Sequence, residues 1–163
     1  MSSLKDLFRG PPQWTLGVAE SVTSGRVQAR ATAHTGSSEF FLGGITAYTL
    51  EGKVRHLGVN RREAEACQCV SALVAEQMAW GVCRLFDSDL GVATTGWAEP
   101  SPRDGVEEPF AWWALAHVRS PNKVYFQSGR VEAPHASRVD AQMLIADAVI
   151  ARLIRYLQDV RQA

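Results

Sequence analysis

The stretch Leu16-Gly17-Val18-Ala19-Glu20-Ser21-Val22-Thr23-Ser24-Gly25 constrains the fold more than any other part of this chain. The apolar run from Trp14 to Ala19 has the length and content of a buried strand. It stops at Glu20-Ser21, and a helical pattern opens near Ser24 or Gly25 and runs through Val27 and Ala31 towards His34. Hydroxyls and a glycine therefore sit on a strand-to-helix turn. Such a turn exposes side chains at the end of a sheet, beside a helix N-terminus whose N–H groups and dipole favour negative charge. The same residues fit a serine nucleophile with an oxyanion site, a phosphate cradle, or a plain helix cap by Thr23 or Ser24.

Bulk properties narrow the class. At 163 residues the chain is one domain, long enough for a core without disulfide staples. Lys plus Arg and Asp plus Glu are 17 each, and this balance argues against a general nucleic-acid or membrane-surface binder. No apolar run spans a bilayer, and the charged start Met1-Ser2-Ser3-Leu4-Lys5-Asp6 lacks the apolar core of a signal peptide, so a cytoplasmic location is expected. Cys67, Cys69 and Cys83 read as reduced thiols, and the scattered His34, His56, His117 and His135 leave Cys67-Gln68-Cys69 without a second pair at zinc spacing. Neither a metal nor an organic cofactor is expected.

Along the chain, residues 3–9 read as a short helix stopped by Gly10-Pro11-Pro12, so that 1–13 form an N-terminal helix and linker and 14–163 the domain. The strand at 14–19 and the helix at about 24–34 follow. Ile45-Thr46-Ala47-Tyr48 alternates like a strand, 49–53 is a turn or short helix, 56–59 a loop and 61–66 a helical turn. Ser71 caps a helix reaching Asp87, and Leu90 to Thr94 is a buried strand ending at Thr95-Gly96. A polar loop from Trp97 to about Pro109 precedes two strands, 110–118 and 123–130, joined as a hairpin. Ser137 with Asp140 resembles a capping box for the last helix, whose apolar face carries Leu144, Ile145, Ala148, Val149, Leu153, Leu157 and Val160. Early alternation of helices and strands with a late hairpin predicts an α/β domain with a mixed sheet, its site at the strand ends.

Several segments line up with one family. Ala19-Glu20-Ser21-Val22-Thr23-Ser24-Gly25 resembles an A-E-S-C-T-G-G motif, and Phe41-Leu42-Gly43-Gly44-Ile45-Thr46-Ala47-Tyr48 an F-x-G-G-x-x-x-Y strand. Tyr48 to Lys53 matches Y-S-N-E-A-K at its Tyr, Glu and Lys; His56-Leu57-Gly58-Val59 carries the following L-G-V; Val70-Ser71, Thr95-Gly96 with Ala98 and Pro100, and Glu108-Pro109 match further elements. In order and spacing the chain resembles the CinA C-terminal domain family, the nicotinamide-nucleotide amidohydrolases. The resemblance implies a three-layer α/β/α sandwich. It also implies hydrolysis of nicotinamide mononucleotide to nicotinic acid mononucleotide and ammonia, in nicotinamide-nucleotide salvage.

The same resemblance implies Ser21 as nucleophile, with Tyr48 and Lys53 as its partners. Thr23, Ser24, Gly25, Thr95, Gly96 and Arg138 are the implied substrate-binding residues, with Arg130 second to Arg138. The chemistry is coherent: a serine needs a base, and a lysine kept neutral by burial can be that base, with Tyr48 orienting it or relaying the proton. Backbone N–H groups near Thr23 to Gly25 would hold the oxyanion. Read from the residues alone, a solvated surface lysine is the preferred reading of Lys53 and a core tyrosine with its hydroxyl at the rim that of Tyr48.

Departures from the family pattern gather around the expected site. Val22 stands for cysteine, Ser24 for glycine, Leu50 for asparagine, Gly52 for alanine, and Trp112 for a small residue. The loop Trp97 to Gly105 brings Glu99 and Asp104 to where a phosphate would approach. The competing reading is therefore a relative that binds a nucleotide or a protein partner without turnover. A weaker one makes Trp97, Trp112 and Trp113 an exposed interface patch, and the sequence leaves room for a homodimer or higher homo-oligomer.

Overall fold

The computed structural model describes residues 4–162. Residue 3, where the first helix was expected to begin, and the rest of 1–3 lie outside that range. The elements are α1 (Leu4–Arg9), β1 (Leu16–Glu20), α2 (Arg26–Ala31), β2 (Phe41–Thr46), α3 (Leu50–Leu57), α4 (Arg61–Ala66), α5 (Ala72–Phe86), β3 (Leu90–Trp97), β4 (Phe110–Ser120), β5 (Lys123–Glu132) and α6 (Arg138–Gln162). The five strands form one sheet in the order β2-β1-β3-β4-β5. β1 runs parallel to β2 and β3, and β4 and β5 are antiparallel additions.

Every residue of β1 is buried, as expected of a strand covered on both faces. The two faces are built from different residue sizes. Leu16, Val18, Leu90, Val92, Trp113 and Leu115 pack towards α1, α2 and α6. Ala19, Ala93, Ala114 and Ala116 face α5, with Val74, Met78 and Val82 opposite. The small residues let α5 lie against the sheet: a Cβ on Gly91 would stand 2.0 Å from the Ala79 carbonyl oxygen. Helices thus cover both faces, giving the α/β/α sandwich that the resemblance implied, around the mixed sheet that the sequence pattern predicted. α1 belongs to the same core, where Phe8 stacks on Phe40 with ring centroids 4.6 Å apart.

The boundaries shift for identifiable reasons. α2 is shorter than the expected 24–34 because Ser24 and Gly25 both have left-handed φ values, 51° and 92°, which a helix cannot include. β2 ends at Thr46 and leaves Tyr48 beyond it, because its partner β1 stops at Glu20, opposite Thr46. Residues 56 and 57, read as loop, close α3, which Gly58 ends in the left-handed region. β3 runs on to Trp97 because β4 pairs its last residues, Thr95 with Trp112 and Trp97 with Phe110.

Candidate active site

In-register pairing places Glu20, Thr46 and Thr94 side by side, so β1 and β2 end together at one end of the sheet while β3 runs on to Trp97. After β1 the chain turns into α2 on one face, and after β2 into α3 on the other. The crevice between these exits is where α/β sheets place their sites. A cleft of about 490 Å3 opens there, lined by Ser21, Tyr48, Lys53, Cys69, Glu99 and Arg138 among others.

Ser21 is the first residue past β1. Its N–H donates to the Thr94 carbonyl at 3.0 Å and its carbonyl accepts from Ser24 at 3.2 Å, so the backbone on both sides is fixed. Lys53 comes from α3, which starts at Thr49, whose hydroxyl accepts from Gly52 N–H. The lysine is 1% exposed, and Nζ lies 2.9 Å from Ser21 Oγ, 2.9 Å from the Ala47 carbonyl and 3.0 Å from the Tyr48 carbonyl. All three partners are uncharged. Burial therefore pulls the Lys53 pKa down from its ordinary 10.5, opposed only by the nearby Cys69 thiol. A neutral lysine has two N–H groups and one lone pair. In that form the two carbonyls would take the hydrogens and leave the lone pair for the serine hydroxyl.

The turn behind Ser21 is organised by Glu20, whose importance the sequence reading missed. The side chain is fully buried and its carboxylate accepts from the N–H groups of Gly25 (3.1 Å), Val27 (3.0 Å) and Gln28 (2.9 Å) and from the Thr23 hydroxyl (2.5 Å). The helix N-terminus is thus filled by the chain itself. The available signal was a carboxylate at a strand end, directly before a helix whose own N-cap position, Gly25, has no side-chain acceptor.

This arrangement corrects several expectations. Thr23 is completely buried, bonded to Glu20 and to the Thr94 hydroxyl at 2.7 Å, and neither it nor Ser24 nor Gly25 lines the cleft. The Ser24 and Gly25 N–H groups are already engaged, so they are not the oxyanion donors; those of Val22 and Thr23 have no acceptor among the described residues. Tyr48 holds Lys53 through its carbonyl and not through its phenol, which is turned to the mouth and accepts from Arg138 at 3.0 Å. Thr95 and Gly96 line the cleft as expected, but Thr95 gives its hydroxyl to the Cys69 carbonyl at 2.6 Å. Gly96 is there for packing: a Cβ would stand 2.3 Å from the Phe110 carbonyl oxygen. Arg138, at the start of α6, lies at the mouth and pairs with Glu99 at 2.6 Å, whereas Arg130 pairs with Glu132 on β5.

Two of the sequence departures are absorbed by the core. Trp112 and Leu50 pack against the α5 side of the sheet, and neither lines the cleft. Trp113 is only 5% exposed and Trp97 is a cleft wall, so the three tryptophans form no surface patch. Among the described residues, no group of three His, Cys, Asp or Glu side chains is placed to hold a metal, and no helix is long and apolar enough to cross a membrane.

A sheet flanked on both faces, with a buried serine–lysine contact at the carboxyl ends of its parallel strands, defines an α/β domain with a cleft suited to a nucleophilic serine. The chain belongs to the CinA C-terminal domain family, whose pattern matches residues 6–157. It is similar to a CinA-like protein of Picosynechococcus sp., 38% identical over 153 residues that make up 94% of this chain and 36% of that protein. A CinA-like protein of Chlorobium limicola is 34% identical over 148 residues, 90% of this chain and 34% of the relative. The chain spans about a third of the length of these curated relatives. Among solved structures, a CinA-superfamily protein of Klebsiella pneumoniae matches with a TM-score of 0.79 at 23% identity, over 91% of this chain and 90% of that one. The competence/damage-inducible protein of Agrobacterium tumefaciens matches with a TM-score of 0.75 at 23% identity, over 97% and 99%. At these identities the structural likeness shows the fold alone.

Proposed function

We propose that the cleft is the active site of an amidohydrolase in which Ser21 is the nucleophile and Lys53 the general base. The observation that carries this reading is the buried contact from Lys53 Nζ to Ser21 Oγ at 2.9 Å, with the remaining lysine partners both uncharged carbonyls. A cleft of about 490 Å3 suits a small-molecule amide. The family resemblance supports nicotinamide mononucleotide as the reference substrate, with nicotinic acid mononucleotide and ammonia as products.

The steps follow from the geometry. Neutral Lys53 takes the hydroxyl proton while Ser21 Oγ bonds to the carboxamide carbon. The oxyanion forms beside the Val22 N–H, which borders the cleft and has no acceptor among the described residues. Collapse breaks the C–N bond, and Lys53 returns its proton to the leaving ammonia. Water then attacks the seryl ester with Lys53 again as base. The carboxylic acid leaves and the Ser21 hydroxyl is restored.

The test is enzyme-dependent ammonia release from nicotinamide mononucleotide, with Ser21→Ala measured alongside. We expect release by the native chain and a loss of about a thousandfold or more in the variant. Turnover undiminished in Ser21→Ala would overturn the assignment. Saturable binding with no turnover by the native chain would favour a binding role instead.

A further inference from the structure

Resting on the amidohydrolase reading, we infer that Glu99 makes this cleft selective for a carboxamide that lacks a phosphate group, so that a nucleoside amide is a better ligand than its phosphate ester.

A phosphate monoester is held by uncompensated guanidinium groups or by open N–H groups at a helix N-terminus. Around this cleft both arginines and the starts of α2 and α6 already carry the chain's own polar groups. Arg138 gives one nitrogen to Glu99 at 2.6 Å and the other to the Tyr48 phenol at 3.0 Å. Arg103, its side chain 90% exposed, lies 3.6 Å from Asp104, which Ser101 and Gln68 hold in place at 2.5 and 3.0 Å. Glu20 fills the start of α2 with three backbone hydrogen bonds. At the start of α6, Ser137 Oγ accepts from the Asp140 N–H and donates to the Asp140 carboxylate. Apart from Lys53, which is buried against Ser21 and two carbonyls, the cations that line the cleft among the described residues are these two arginines, each paired with a carboxylate.

Glu99 sits where this matters. A dianionic phosphate drawn to Arg138 would lie about 5 Å from the Glu99 carboxylate, and in high-dielectric surroundings that repulsion costs roughly tenfold in affinity. Sugar hydroxyls meet the opposite situation. Glu99 is a carboxylate acceptor at the mouth, the kind of group that takes a hydrogen bond from a ribose hydroxyl in dinucleotide-binding folds. The mouth is therefore matched to a neutral diol and mismatched to a phosphate.

The experiment compares nicotinamide riboside with nicotinamide mononucleotide, by ammonia release and by calorimetric binding, in the native chain, Glu99→Gln, and Glu99→Gln with Arg138→Gln. In the native chain we expect the riboside to equal or exceed the mononucleotide in both kcat/KM and affinity. Glu99→Gln should move the mononucleotide-to-riboside ratio about tenfold towards the mononucleotide, mainly through KM, and added salt should shrink that shift. The double variant should cancel it. A native preference of about tenfold or more for the mononucleotide, or a ratio that Glu99→Gln leaves unchanged, overturns the proposal. Calorimetry separates the two readings. Binding in the expected order without ammonia release sinks the hydrolase and keeps the selectivity. Ammonia release with the phosphate ester preferred does the reverse. Binding of neither ligand overturns the selectivity directly.

Discussion

Lys53 shows how much one side chain depends on its surroundings. In sequence it is one of 17 basic residues. In the fold it is an amine with no countercharge among its three hydrogen-bond partners, lowered in pKa by burial. In the proposed mechanism the neutral form is the base, so kcat/KM should rise with pH along a single titration whose midpoint lies below the ordinary 10.5. Stability has a matching sign. Between the lowered folded value and 10.5 the unfolded chain binds the lysine proton and the folded chain does not, so stability increases with pH across that window. Denaturant unfolding at several pH values should show this slope, and Lys53→Met should remove it. A Lys53→Met variant with the native slope would mean that another group titrates there. Glu20 is the counterpart. Its role as a four-bond acceptor was unread in the sequence because its donors lie on α2 and the turn, whose directions follow only once β1 is fixed.

At the scale of elements, α5 and its neighbours are positioned by missing side chains. A Cβ added at Gly91 would stand 2.0 Å from the Ala79 carbonyl oxygen, so Gly91→Ala should cost about 3 kcal/mol, at the upper end for overpacking, because backbone cannot yield as a flexible side chain does. Gly52 lies inside α3 with nothing nearer than 3.4 Å to an added Cβ. Gly52→Ala should therefore stabilise by about 0.5–1 kcal/mol, the ordinary helix-propensity difference. Opposite signs from the same substitution, read as shifts in denaturant midpoint, check the packing account. Equal signs would mean that α5 does not lie on β3 as described. The elements themselves were largely legible in the sequence. Ser71 and its apolar period gave α5, and Ser137 with Asp140 gave the start of α6, because capping and periodicity are local. The end of β3 was not, since its last residues are ordered by pairing with β4.

Over the whole molecule, the end of the sheet opposite the cleft carries a second titratable group. His117 on β4 is 4% exposed, with Nδ1 2.7 Å from the Tyr156 hydroxyl on α6 and the ring edge-on to Trp14. Burial lowers its pKa below 6.5, aided by Arg119 and, less strongly, Arg161, with Asp89 opposing. As pH falls from 6.5 towards the folded value, the unfolded chain takes up a proton that the folded chain refuses, so stability declines over that interval and levels off below it. His117→Gln should flatten this part of a stability–pH curve measured by thermal or denaturant unfolding. An unchanged acid slope would remove His117 from the account.

Family, layer order and the identities of Ser21, Lys53 and Arg138 were open to a reader of the sequence alone, because strand and helix signals repeat over short windows and the family motifs keep their spacing. Which groups face one another was not. Lys53 reaches Ser21 across 32 positions, Arg138 reaches Tyr48 across 90, and Thr23 turns inward to Glu20 and Thr94, away from the cleft it was expected to line. Those relations depend on the register of β1 against β2 and β3 and on the burial that the sandwich imposes. The sequence determines a serine, a lysine and a set of acids and arginines. Only the tertiary structure decides that the lysine is buried among uncharged partners and that each arginine at the mouth is matched by a carboxylate, because charge compensation is a matter of distance in space.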